Sequence, residues 1–233
     1  MGISRVHEQS LLLVHCLFTC VYFPGILILL KYNESLYTVG SFKFLPILTI
    51  LMFAEVVKLV FSTTQKQQQF FLGRADVKPN ARSKKSWLKA IKDLFKFSIV
   101  MLILFAVYYI MVVLFGAALF SHLEETSVLS LTLATLTFVP GAIHLGIDMA
   151  LLVLTSPNTY DIGPIGQAIS FHIKTTVLGA WLGAIAIPLD WDRPWQVWPI
   201  PCVLGALVGY MLGHLYTLIK TLTFLRSNRK AQR

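Results

Sequence analysis

Six runs of apolar residues, at about 11–30, 44–62, 97–120, 127–154, 171–189 and 199–220, leave few folds open to this chain of 233 residues. Roughly 20 such residues wound as a helix cross a hydrocarbon layer of ~30 Å. In lipid, only helices and closed barrels satisfy every backbone amide and carbonyl. The pattern therefore predicts an all-α, polytopic membrane protein: a single domain over residues 1–233, built as a bundle of six transmembrane helices. Hydrophobic residues make up 56% of the chain and charged ones 13%, a balance that excludes an ordinary soluble domain. The first run reads as a retained signal anchor, because no small-residue cleavage pattern follows it. Cys16, Cys20 and Cys202 fall inside spans, where they read as small packing residues rather than disulfide or metal ligands.

Charge orients the bundle. Residues 63–96 carry nine basic side chains (Lys66, Arg74, Lys78, Arg82, Lys84, Lys85, Lys89, Lys92 and Lys96) against Asp76 and Asp93. The tail adds Arg226, Arg229, Lys230 and Arg233 without an acid. Basic loops stay cytoplasmic, and six spans put both segments on the same side as the N-terminus, so both termini are expected in the cytosol. The opposite side receives Lys31, Lys43 and Arg193 against five acids, Glu34, Glu124, Glu125, Asp190 and Asp192. An Asn33-Glu34-Ser35 sequon lies there, too near the first span to be used. The net charge of +9 belongs beside the bilayer, which excludes nucleic acid as a partner. Trp87, Leu88, Ile91, Leu94 and Phe95 alternate at helical spacing with Lys89, Lys92 and Lys96, the pattern of an interfacial helix feeding the third span.

Two features near the C-terminus suggest surfaces for binding. Gly205, Gly209 and Gly213 form overlapping GxxxG repeats, and Gly179 and Gly183 make another in the preceding span. Small residues at this spacing let helix backbones approach closely in lipid, where van der Waals contact drives association. Such faces serve either packing within the bundle or another polypeptide. Between these spans runs Asp190-Trp191-Asp192-Arg193-Pro194-Trp195-Gln196-Val197-Trp198, flanked by Pro188 and Pro199. Proline fixes backbone dihedrals, and tryptophan and arginine favour headgroup layers and binding surfaces. Trp191, Arg193, Trp195 and Trp198 are the candidate contacts, with Asp190 and Asp192 as a headgroup-facing or structural pair.

Catalytic machinery is not visible. No nucleophile elbow, phosphate-binding loop, zinc-binding His-Glu-x-x-His or cysteine cluster occurs, and Asp190 and Asp192 form a poor metal set without a histidine nearby. No catalytic residue, metal or cofactor is therefore expected. His144 and Asp148 stand one turn apart, as a self-satisfying pair or an intramembrane relay. Glu55 and Lys58 read as a local pair or as snorkelling ends. Pro140-Gly141 predicts a kink within the fourth span.

The run from Gly179-Ala180-Trp181-Leu182-Gly183-Ala184 through Ile187 to Ile200, then Cys202 and Leu204-Gly205-Ala206, resembles the C-terminal signature of the PIG-F family. A weaker likeness covers Phe115-Gly116-Ala117 and residues 124–140. The resemblance implies a multi-pass protein of the endoplasmic reticulum that binds and stabilises two large glycosylphosphatidylinositol (GPI) ethanolamine phosphate transferases, PIG-O and PIG-G. It implies no enzyme activity of its own, since in the family the metal site sits in the transferase's large lumenal domain. The outer loops, 31–43, 121–126 and 190–198, total 28 residues and cannot assemble a two-metal centre. Glycine faces and the tryptophan hairpin are then the expected partner interface, with membrane lipids alongside. An intramembrane lipid-modifying enzyme and a lipid transporter or scramblase stay open as alternatives.

Overall fold

The computed structural model describes residues 2–32, 35–73, 85–118, 120–156, 162–189, 191 and 193–231. Asp190, Asp192, the sequon's Asn33 and Glu34, and residues 74–84 of the basic loop lie outside the described residues. Among the described residues seven α-helices follow one another: α1 Gly2–Tyr32, α2 Leu45–Gly73, α3 Lys85–Leu114, α4 Leu123–Leu145, α5 Ile147–Thr155, α6 Gly163–Ala184 and α7 Ile200–Ala231. No strand occurs among the described residues.

Five of these helices are long and apolar enough to cross a membrane: those containing Glu8–Tyr32, Phe42–Thr63, Ile91–Leu114, Leu123–Leu145 and Ile200–Asn228. The fifth expected span, 171–189, differs. Its helix, α6, begins eight residues before the predicted 171 and stops at Ala184 rather than 189. The shift adds Gln167 to the His172 and Lys174 that the expected span already contained. Residues 185–189, expected as helix, instead form successive turns closed by bonds such as Ala186 N–H to the Gly183 carbonyl.

Helix α4 sits at the centre, packed against α2, α3, α5 and α6. Its buried face is rich in hydroxyls: Ser130, Thr132 and Thr137 donate to the carbonyls four residues back at 2.7 Å. Back-bonding of this kind lets a polar side chain sit in a dry interior without another partner. Tyr108 of α3 donates to Thr137 at 2.9 Å, and Phe97 stacks on Phe138, fixing an otherwise exposed helix to the centre.

Pro140 and Gly141, where a kink is expected, both lie within α4. The helix runs through both residues and breaks at Gly146, whose φ of 88° and ψ of 161° suit glycine and strain any other residue. Gly141 serves packing instead: α5 folds back so closely that a methyl group there would meet Ala150 Cβ at 3.0 Å. The break also separates His144 from Asp148. Rather than facing each other across one helical turn, they turn to different partners, Glu55 and Lys96.

Helices α6 and α7 pack closely along their length. A Cβ on Gly179 would strike the Gly205 carbonyl, one on Gly205 the Gly179 carbonyl, one on Gly183 the Pro201 carbonyl, and one on Gly209 the Thr175 carbonyl. Gly213 lies against Thr175 and His172. Of the two uses open to these glycine faces, the structure displays packing within the bundle: the five glycines face each other's helices, not an outer surface.

Candidate functional site

The hairpin between α6 and α7 is organised by a residue to which sequence reasoning assigned no role. Gln196 is buried, and its amide donates to the carbonyls of Ala186 at 2.9 Å and Leu189 at 2.6 Å. Its side-chain oxygen accepts the Arg193 amide proton at 3.0 Å, while its own backbone N–H returns to the Arg193 carbonyl. Both arms of the hairpin are thus tied to one glutamine in the short Pro194–Gln196 turn. An amide in a proline-rich loop gives no local signal for this, since the carbonyls it serves lie seven and ten residues away.

The four candidate contacts divide into two pairs. Trp195 and Trp198 pack on the main hydrophobic core, and the Trp198 indole reaches the Thr126 hydroxyl of α4 at 3.4 Å. Pro199 presses on Gly40, so the hairpin is seated on the 35–44 loop. That loop is itself held by the Phe42 amide, which donates to Glu124 at 2.6 Å. Trp191 and Arg193 point outward: Trp191 is 55% exposed and leans on Trp195 with ring centroids 5.9 Å apart. Beside the hairpin an open groove of about 370 Å³ runs between Trp198, Ile187 and the Phe115-Gly116-Ala117 turn.

A second polar centre lies inside the apolar length of the bundle. Glu55 and Lys58, one turn apart on α2, are ion-paired at 2.6 Å with both side chains almost wholly buried. Tyr210 of α7 donates to Glu55 at 2.9 Å, and His144 of α4 stands 3.3 Å from its other oxygen. Lys58 donates to Thr19 of α1 at 2.8 Å. Four helices therefore meet on one carboxylate and one ammonium. A buried charge pair in lipid demands this completeness, because each lone pair or proton left over costs several kcal/mol.

Histidines extend the centre toward α6. The His15 ring meets His144 edge-on at 4.6 Å, His214 stacks on His172 at 3.7 Å, and His172 Nε2 bonds the Thr217 hydroxyl at 3.0 Å. His214 Nδ1 faces the Tyr210 carbonyl at 3.0 Å, and an acceptor there fixes the proton on that nitrogen. Donor atoms of His15, Glu55 and His144 lie within 4.8 Å of one another, close enough to be gathered around a metal. The charges argue otherwise. Lys58 already neutralises the carboxylate, and a dication would put two positive groups on one buried anion. The arrangement is an ion-paired clamp, and a neighbouring cavity of about 20 Å³ lined by His15, Lys58, Ser62 and His144 has room for one water.

These features define a polytopic helical membrane protein whose polar groups are directed inward to hold helices together, with one stiffened hairpin at an end of the bundle. The family model described as GPI biosynthesis protein family Pig-F matches residues 12–218, and the chain belongs to that family. It is 37% identical over 138 residues to a human protein named GPI ethanolamine phosphate transferase, stabilizing subunit, a match covering 59% of this chain and 63% of the relative. The mouse protein of that name gives the same identity and coverage. Glycosylphosphatidylinositol anchor biosynthesis protein 11 of Debaryomyces hansenii is 38% identical over 117 residues, 49% of either chain. The chain thus spans less than two thirds of the length of these relatives. No solved structure matches it.

Proposed function

We propose that this chain is a non-catalytic membrane subunit that binds and stabilises GPI ethanolamine phosphate transferases of the PIG-O and PIG-G types in the endoplasmic reticulum. Membership of the PIG-F family over residues 12–218 carries the reading, and the names of the human and mouse relatives point the same way. The excess of basic residues in the 63–96 loop and the tail supports a lumenal hairpin, on the side where a transferase catalytic domain would stand. Outward Trp191 and Arg193 supply an aromatic and a cationic anchor of the kind favoured at binding surfaces, beside a turn tied down by Gln196. The glycine faces are engaged between α6 and α7, so the exposed hairpin tip and the outer helix surfaces remain for the partner.

The test is gentle purification of the chain from membranes, followed by identification of what accompanies it and an assay of phosphoethanolamine transfer. A large transferase in the eluate, with transfer dependent on it, is the expected result. Transfer by the chain alone, or an eluate free of any transferase, would overturn the proposal.

A further inference from the structure

Away from the hairpin, a groove of about 430 Å³ opens between α1, α6 and α7. Its volume is in the range of small-ligand sites. Lys174 and Lys220 both line it, together with Gln9 and the hydroxyl residues Ser170, Thr217 and Thr221, and no acidic side chain does so among the described residues. Its other wall is apolar, with Phe171 and Tyr216 in ring contact at 5.0 Å. One groove therefore joins two cations and three hydroxyls to an aromatic surface.

Depth makes Lys174 unusual. It stands eleven residues from the start of α6 and ten from its end, about 15 Å from either at 1.5 Å per residue. The glycine contacts that pair Gly179 with Gly205 and Thr175 with Gly209 put it level with Tyr210 of α7. An exposed lysine at mid-span is costly in lipid and marks a ligand path unless it is paired. Lys58 shows how the same fold treats a lysine with no such path: it is buried against a carboxylate. Lys220 lies ten residues farther along α7, roughly 30 Å from that helix's start at Ile200 and so at the opposite edge of the hydrocarbon layer. The groove thus runs from a membrane edge to mid-depth with a cation near each end.

We propose that this groove holds the phosphate-bearing headgroup of an anionic glycerophospholipid, drawn in from the edge at Lys220 toward Lys174, with its acyl chains along Phe171 and Tyr216. A soluble anion meets the cations but not the aromatic wall, and an apolar chain meets the wall but leaves both lysines unpaired. An anionic amphiphile satisfies both.

The full chain, in phosphatidylcholine nanodiscs, is exposed to a photoreactive phosphatidylglycerol or to a photoreactive diacylglycerol with the same acyl chains, and labelled peptides are identified. Phosphatidylglycerol should label the segments around Phe171 and Tyr216 while diacylglycerol leaves them unlabelled. The double variant Lys174→Gln/Lys220→Gln should lower that labelling about tenfold, and Lys174→Arg/Lys220→Arg should restore it. Equal labelling by both probes, or labelling indifferent to the two lysines, would overturn the proposal. So would capture of a polypeptide rather than a lipid by a photoreactive residue placed at Tyr216 in cells.

Discussion

At the scale of residues, the buried pair Glu55–Lys58 sets the terms. Its two members are one helical turn apart, so their pairing was legible in the sequence as a local contact. What was not legible is that Thr19, His144 and Tyr210, drawn from three other helices, complete it. Apolar periodicity fixes that a helix crosses the membrane but barely constrains its rotation where every face is apolar, and rotation decides which polar groups meet. Gln196 escaped notice for a related reason: its partners lie in a turn that the reading of 171–189 as helix had removed. The clamp gives a quantitative expectation. Glu55→Gln strands the Lys58 ammonium in a dry site and should destabilise the chain by about 3–5 kcal/mol. Adding Lys58→Met should recover much of that loss, because no unpaired charge remains. Thermal unfolding of the single and double variants in detergent measures both, and additive losses would show that the pair is not coupled.

At the scale of elements, α6 and α7 behave as one unit. Their glycines were recognisable by spacing alone, yet spacing could not say which backbone each glycine faces. The structure answers this: the faces meet one another, at separations that leave no space for a side chain. The consequence concerns the chain's own integrity. Gly209→Leu drives a branched side chain into the Thr175 backbone and should separate the two helices, lowering the thermal midpoint of the isolated chain and its yield in membranes. The same substitution at an outer, partner-facing surface would reduce co-purification and leave the midpoint unchanged, so the two measurements together locate the face. The break at Gly146 was less legible than Pro140: proline is the strongest sequence signal for a bend, yet α4 ends where the backbone angles suit glycine.

At the scale of the whole molecule, the apolar runs made the membrane class plain, because backbone hydrogen bonding in lipid admits so few solutions. The family was legible where a rare combination of tryptophan, proline and arginine carries the resemblance. The structure refines that combination by sorting it. Trp195 and Trp198 are anchored to the core and hold the hairpin in place, whereas Trp191 and Arg193 project from it. This division makes two kinds of substitution distinguishable. Trp198→Ala removes packing against the core and should lower the chain's thermal midpoint, with partner loss following as a secondary effect. Trp191→Ala combined with Arg193→Ala removes only outward groups, so the midpoint should stay within about 0.5 kcal/mol equivalent of the parent. If the hairpin tip is the transferase contact, that double variant should nonetheless lose at least about tenfold of the co-purified enzyme, the equivalent of one anchor residue. A stable chain that retains its full complement of transferase after losing both groups would shift the interface to the outer helix surfaces and reduce the hairpin to a cap on the α6–α7 pair.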